Sequence, residues 1–424
     1  MTDFEDFIVR NTDADIPRLL LSCKEWPEDK GLAISTIEAR KKLRKKVPEW
    51  YSCTSLIYPS ALCAEQCSSS ATASYKAALA ARILEGAAEK RIADLTGGLG
   101  VDSWAFSKVA DKVLYNDMSL ALASAARHNF SELGAGNIRV CNQEAAPESL
   151  PDILDGFAPG IVFMDPARRN KDGKKVFLLE DCSPDVLKLI PGIFASCRHL
   201  LLKLSPMADI PMVAERLDRA LESYMEKATG NGWNGQWVRE IHVVAWGGEC
   251  KELLVWMDRE WDGEYSLTCC EDGVTLAFRA EETTTKPALP QSAYAKILFE
   301  PGKSLTKAGV SNTLCERFGL VKLGRFTQLF TFEGPVDTDV TDELRKFGKL
   351  FDVKEFVPMK KATLKDIGRL YPHSEVSAKN IPLTSDELRS RLGVSSGDDA
   401  HIFGARVETP FESGNYLIVC THCP

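Results

Sequence analysis

Four carboxylates, three glycines and a handful of cations stand at intervals where they could do chemistry. Asp94 is followed by Leu95-Thr96 and then by Gly97, Gly98 and Gly100, in the run RIADLTGGLGVD from Arg91 to Asp102. Ile92 and Ala93 end a short apolar strand, and the glycines allow a tight turn into a helix starting near Val101. Such a turn presents backbone N–H groups and the positive end of a helix dipole to a ligand above the sheet edge, which suits a nucleotide-like molecule. The spacing D-x-x-G-G-x-G is not the dinucleotide pattern G-x-G-x-x-G. A glycine turn alone is also compatible with an ordinary tight connection between packed elements.

The downstream strands give the turn its meaning. Val113-Leu114-Tyr115 reads as a second strand ending at Asn116-Asp117, close to the ~20-residue interval at which a βαβ unit places an acid for ribose hydroxyls. Met118 follows it. Ile138 to Cys141 reads as a third strand ending at Gln143-Glu144, and Gly160 to Met164 as a fourth ending at Asp165-Pro166. Proline fixes its own φ and restrains the residue before it, so Asp165 is held in a defined direction. Leu200 to Leu204 reads as a buried parallel strand carrying Lys203, whose ammonium needs a partner there unless it snorkels to solvent.

In order, DLTGGLG, YND, NQEA and VFMDPARR resemble the first four motifs of class I methyltransferases that use S-adenosylmethionine. The resemblance covers roughly Gln66 to Asp258. It implies that Asp94, Thr96, Gly97, Gly98, Gly100, Asp117, Met118, Gln143 and Glu144 bind the cofactor, and that Asp165 and Pro166 stand at the methyl acceptor. Methyl transfer from a sulfonium is an in-line displacement, so the protein mainly orients an acceptor lone pair and manages its proton. Enzymes that methylate exocyclic amines of bases usually carry an aromatic ring after the Asp-Pro pair, and here Ala167-Arg168-Arg169 stands instead. Arg168 and Arg169, with Lys203, suggest an anionic group on the acceptor or a loop-stabilising ion pair. Cys182 is the nearby thiol, but neither the fourth nor the fifth strand end carries a cysteine, which favours a nitrogen or oxygen acceptor over carbon.

A chain of 424 residues exceeds the size at which one core stops growing, so two to four domains are expected. Its net charge of −8 excludes a globally basic nucleic-acid binder and leaves only local patches. Thirteen cysteines are scattered without a dense framework, which reads as reduced thiols in the cytoplasm. The acidic N-terminus lacks a signal-like segment, and no stretch approaches the ~18 apolar residues that span a bilayer.

Residues 1–58 read as helical, and Arg40 to Lys46 form a basic stripe that either follows a phosphate backbone or faces water. In the segment 59–82, Ser68 to Ser70 form a polar turn that caps the helix carrying Tyr75 and Lys76. The methyltransferase resemblance implies that this segment helps close the cofactor pocket, with Gln66, Ser68 and Thr72 lining it, while simple helix packing is the alternative. Trp237 to Ala245 and Glu252 to Met257 resemble the closing hairpin of the methyltransferase sheet, with His242 on a strand face.

After the connector 281–292, the chain reads as small α+β units. Strands are expected at Tyr294 to Phe299, Phe326 to Phe332, Phe351 to Pro358, Ala400 to Arg406 and Tyr416 to Cys420, with helices at Lys303 to Ala308, Leu364 to Leu370 and Ser385 to Leu392. Arg391 to Val394 and Asp399 to Phe403 resemble the THUMP-like domain that follows the methyltransferase domain in a bacterial family, and the unit before it corresponds to that family's ferredoxin-like domain. Lys360, Lys361, Lys365, Arg369 and Lys379, with Tyr371 and His373, form either a nucleic-acid contact face or a solvated surface. The lone Cys420-x-x-Cys423 pair does not make a zinc site, so no metal is expected.

The expected fold class is α/β: a Rossmann-like seven-stranded methyltransferase sheet with a helical N-terminal region and small C-terminal α+β domains. The expected domains are 1–58, helical; 59–280, methyltransferase; 281–335, ferredoxin-like; and 336–424, THUMP-like. The expected function is methylation of RNA, tRNA or rRNA, from S-adenosylmethionine. Alternatives are a DNA or non-nucleic-acid acceptor, or a non-catalytic RNA-binding protein that keeps the fold.

Overall fold

The computed structural model describes residues 3–168, 179–229, 235–279, 282 and 288–423, without the side chains of Arg168 and 223–229. The chain divides into two compact units, Met1–Ile241 with Glu252–Tyr265, and His242–Lys251 with Ser266–Pro424.

The first unit opens with four helices, α1 (Asp3–Arg10), α2 (Ile16–Ser22), α3 (Lys30–Lys46) and α4 (Pro48–Ser52). Asp15 and Asp29 cap α2 and α3 by accepting from the backbone N–H of Arg18 and Leu32. Pro48 occupies the first turn of α4, where its missing N–H costs nothing. After α5 (Ala61–Gln66), helix α6 (Ser70–Ile83) begins with a capping box between Ser69 and Thr72, as the serine run predicts.

Alternation of strand and helix then sets up β1 (Arg91–Asp94), α7 (Val101–Ser107), β2 (Lys112–Asn116), α8 (Leu120–Glu132), β3 (Ile138–Cys141), α9 (Leu150–Leu154) and β4 (Ile161–Met164). A two-residue strand β5 (Ala167–Arg168) pairs with β6 (Cys182–Ser183). Helix α10 (Val186–Ser196), β7 (His199–Leu204), α11 (Ile210–Thr229), β8 (Val238–Trp246) and β9 (Glu249–Asp258) complete the pattern. The order β8-β9-β7-β4-β1-β2-β3 supplies the seven strands expected, and the sheet does not stop there: two further strands beyond β8, Ser266–Glu271 and Val274–Phe278, make it nine-stranded. Neighbours from β7 to β3 are parallel, and β9 runs antiparallel to β7. β4 is buried at every position, so its apolar run is the signature of a strand covered on both faces. The parallel strands therefore end at one edge, where the loops after β1, β2, β3, β4 and β7 gather.

In the second unit, β10 (Ser266–Glu271) and β11 (Val274–Phe278) form a hairpin, and Glu271 reaches the start of α12 (Lys303–Ala308). Its carboxylate accepts from the backbone N–H of Ser304 at 3.0 Å and from the Ser304 hydroxyl at 2.6 Å, capping a helix whose own cap residue, Gly302, has no side chain. β12 (Ile297–Pro301) precedes α12, and α13 (Ser311–Phe318), β13 (Leu320–Gly324), β14 (Thr327–Phe332), α14 (Thr338–Arg345), β15 (Gly348–Pro358), α15 (Lys361–Leu370), β16 (His373–Lys379), α16 (Ser385–Leu392), β17 (Ser395–Glu408) and β18 (Ser413–His422) follow. One seven-stranded sheet, β13-β14-β12-β15-β18-β17-β16, contains strands from both 281–335 and 336–424. Along β18, Leu417 and Val419 feed a core beneath α15 and α16, while Ile418 and Cys420 feed the core of the opposite face. The strands β10, β11, β13 and β16 and the helices α13 and α14 were not expected from the sequence. Among the described residues, no helix is long and apolar enough to cross a membrane.

Candidate active site

The first unit concentrates its polar groups at the strand ends. Asp94 is almost fully buried at the end of β1 and spends both oxygens on its own loop, accepting from the Thr96 N–H at 3.1 Å and the Ser103 hydroxyl at 2.6 Å. Burial, eased by the Ser103 hydrogen bond, pushes its carboxyl up to about 8. The structure therefore puts Asp94 inside the turn, as the residue that shapes it.

The glycines are needed for two different reasons. A Cβ on Gly97 would stand 2.2 Å from the Tyr115 ring, so only glycine lets the turn lie on that side chain. Gly98 has φ +53° and nothing closer than 3.9 Å to where its Cβ would be, leaving open space over a left-handed residue. Gly100, also left-handed, stands at the N-cap of α7. Such a cradle fits a bulky ligand resting on backbone.

Asp117 follows β2 and faces that turn: its Oδ2 accepts from the Gly98 N–H at 2.9 Å and its Oδ1 from the Ser119 N–H at 2.8 Å. Each carboxylate oxygen retains a lone pair for a hydroxyl donor. Met118 is exposed beside it, as are Gln143 and Glu144 in the loop after β3. Asn116, buried and not singled out from the sequence, ties these loops together: its amide donates to Leu95 O at 3.2 Å and Gln143 O at 3.0 Å and accepts from the Gln143 N–H at 3.1 Å.

Asp165 lies just past β4, next to the buried Pro166, and its backbone N–H donates to Thr96 Oγ1. Its carboxylate pairs with the Lys203 ammonium, which emerges from β7 between leucines. Burial lowers Lys203, but Asp165, Glu252 and Asp102 outweigh it and leave the ammonium held above its ordinary value. Lys203 thus faces the cleft beside Asp165, one of the two placements that the sequence left open. Its charge is already committed to carboxylates, so it is not a vacant substrate cation.

Behind Lys203 stands a group that the sequence reading did not assemble. Lys76, inaccessible to solvent on α6, donates to Glu252 at 2.9 and 3.1 Å and to the Ser68 hydroxyl at 2.8 Å, and lies 3.1 Å from Asp102. Glu252 on β9 lies 3.9 Å from Lys203, and burial raises its carboxyl despite the ammonium groups on either side. A lysine in an otherwise small, apolar helix face and a glutamate opening the apolar run of β9 were the available signals.

Arg169 lies outside the described residues and Arg168 has only its backbone described. Ser68 and Thr72 are buried in the charge cluster and the helix cap, and Gln66 is exposed. Most of the basic stripe of α3 faces solvent, with Lys41, Lys42, Arg44 and Lys45 exposed, though several of its cations have partners within the first unit. Arg40 is buried, donating to Tyr51 O at 2.8 Å and Cys53 O at 3.1 Å; Arg44 pairs with Asp13 at 2.7 Å and Lys42 with Glu65 at 2.5 Å; and Lys41 donates to Ala14 O. Lys360, Lys361 and Lys365 stay exposed, whereas Lys379 pairs with Glu300 at 2.5 Å. No group of three or more His, Cys, Asp or Glu side chains suited to a metal occurs among the described residues.

Comparison with known proteins adds two domain matches, a THUMP domain-like model over residues 348–422 and a ferredoxin-like domain model over 298–338. No curated protein sequence matches. A crystal structure of a candidate methyltransferase from Porphyromonas gingivalis W83 aligns over 99% of this chain and 98% of its own, with 28% identity and a TM-score of 0.81. A SAM-dependent methyltransferase of Agrobacterium tumefaciens aligns over 44% of this chain and 61% of its own, at 14% identity and a TM-score of 0.31. An rRNA methylase of Streptococcus thermophilus aligns over 43% of this chain and 93% of its own, at 15% identity and a TM-score of 0.28.

Proposed function

We propose, from the premise that this chain is a class I methyltransferase with a C-terminal THUMP-like domain, that it methylates a nitrogen or oxygen of cytoplasmic tRNA or rRNA using S-adenosylmethionine. The observation that carries this reading is the hydrogen bond from the Asp165 N–H to Thr96 Oγ1, which ties the glycine turn to the Asp-Pro strand end. The open space over Gly98 and the spare lone pairs of Asp117 fit the cofactor's adenosine. When bound, the cofactor supplies an electrophilic methyl group.

The chain's own residues then have distinct tasks. Gly97, Gly98 and Gly100 let backbone approach the ligand, Asp117 holds the ribose hydroxyls, and Met118, Gln143 and Glu144 border the base. Asp94 and Thr96 hold the turn in place. Asp165, its direction restrained by Pro166, accepts a hydrogen bond from the acceptor and helps manage its proton as the new bond forms. Arg168 and Arg169, next in the chain, supply charge for an anionic group of the acceptor. The exposed lysines of α15 offer RNA a phosphate contact. Ala167 in place of a stacking ring keeps a non-nucleic-acid amine acceptor as the second reading.

The test is transfer of labelled methyl groups to RNA from a strain lacking the gene, alongside calorimetry with S-adenosylhomocysteine. Asp117→Ala is expected to weaken binding by about 1–3 kcal/mol, the range for hydrogen bonds to charged groups. Asp165→Ala should lower turnover far more than it alters cofactor affinity. Unchanged affinity in the folded Asp117 variant removes the cofactor assignment. Labelled protein or small amines with unlabelled RNA promote the second reading.

A further inference from the structure

Acidic and basic side chains alternate along a continuous path from the first turn of α7 to the strand-end cleft: Asp102, Lys76, Glu252, Lys203, Asp165. From Lys76 outward exposure rises, from 0% for the Lys76 side chain and 3% for Glu252 to 14% for Lys203 and 35% for Asp165, while Asp102 at the other end is 10% exposed. Stripping several charged groups of water is costly, and such groups persist when geometry repays them. Here the Lys76 ammonium is saturated by Ser68, Asp102 and Glu252. The accessible end of the path is Asp165.

We infer that Lys203 is the positioning residue for Asp165, held in place by the buried Glu252–Lys76–Asp102 support. This rests on the reading of Asp165 as the acceptor-side carboxylate. Lys203 occupies Oδ2 of Asp165 and the backbone N–H of Asp165 is held by Thr96, so the other oxygen, Oδ1, is the one that this reading assigns to the acceptor. The support converts a solvent-edge carboxylate, which would otherwise sample rotamers, into one of fixed aim. It also explains why three elements distant in sequence, α6, α7 and β9, converge behind one strand end.

The test uses the full chain with Lys203→Met, Lys203→Arg and Glu252→Gln. Lys203→Met should keep affinity for S-adenosylhomocysteine within about threefold while kcat for methyl transfer to bulk RNA falls at least about tenfold, the signature of an interaction needed in the transition state. Lys203→Arg should recover most of that loss, and Glu252→Gln, which preserves shape, should give a smaller fall. A crystal structure of the Lys203→Met variant should show the Asp165 carboxylate rotated or in several rotamers, a readout that needs no acceptor. If the wild-type chain methylates no RNA, the RNA reading fails, and the Asp165 rotamer still decides this one. An unmoved Asp165 in Lys203→Met, or kcat equal to wild type in that variant, overturns the inference.

Discussion

At the scale of single residues, two buried titratable groups of the first unit give opposite pH signatures. His199 accepts a hydrogen bond on Nδ1 from the Trp256 indole at 3.3 Å, and burial lowers it to about 4. An unfolded histidine titrates near 6.5, so the unfolded chain takes up a proton that the folded chain refuses, and this contribution to stability is lost as pH falls from about 6.5 towards 4. Asp94 does the reverse: its carboxyl is raised to about 8, so the folded chain keeps a proton that the unfolded chain releases above ~3.9, and its contribution declines as pH rises towards 8. Thermal unfolding followed against pH should therefore show a shallower acid decline for His199→Gln and a shallower decline between pH 5 and 8 for Asp94→Asn. Variant curves parallel to wild type would remove both assignments. Residues such as these were only half legible. Asp94, Asp117 and Asp165 announced themselves by standing after apolar runs, whereas Lys76 and Glu252 meet across 176 positions of sequence and no local pattern pairs them.

Among the elements, the two basic helices should separate by function. Lys41, Lys42 and Arg44 of α3 are exposed but tied to a carbonyl and carboxylates of their own unit, and Arg40 is buried; Lys361 and Lys365 of α15 are exposed, as is Lys360 at its N-cap. Reversing Lys360, Lys361 and Lys365 to Glu should weaken RNA binding and flatten its salt dependence, whereas reversing Lys41 and Lys42 should leave it unchanged and cost some stability. Filter binding at several salt concentrations distinguishes them, and an unaffected α15 variant would move the RNA contact elsewhere. The same contrast shows why strand and helix identity was readable. β1, β2, β4 and β7 are short apolar runs with polar ends, and α16 begins with the capping pair Thr384 and Glu387. β16, whose sequence HSEVSAK lies at a sheet edge, carries too few apolar residues to declare itself, and β13 is five residues that pair only through tertiary context.

For the chain as a whole, the arrangement of the second sheet limits how the protein can be divided. A boundary at residue 335 falls between strands of one sheet, because β12 pairs with β15 over Ile297 to Pro301. Truncation after 335 should leave β12 without that partner and yield insoluble protein, read by expression level and circular dichroism; a soluble truncated chain with intact strand content would show that the segment folds without β15. Sequence composition marked the change of character after residue 280 but not the joining of its two parts, since ladder partners such as Phe299 and Leu350 carry no mark of each other. β18 lies between β15 and β17 and sends alternate side chains into both cores, so its amides can meet solvent only when both faces separate together. Its protons are therefore the slow clock of the second unit in hydrogen exchange, reporting global opening while the edge strands β13 and β16 fray many times over.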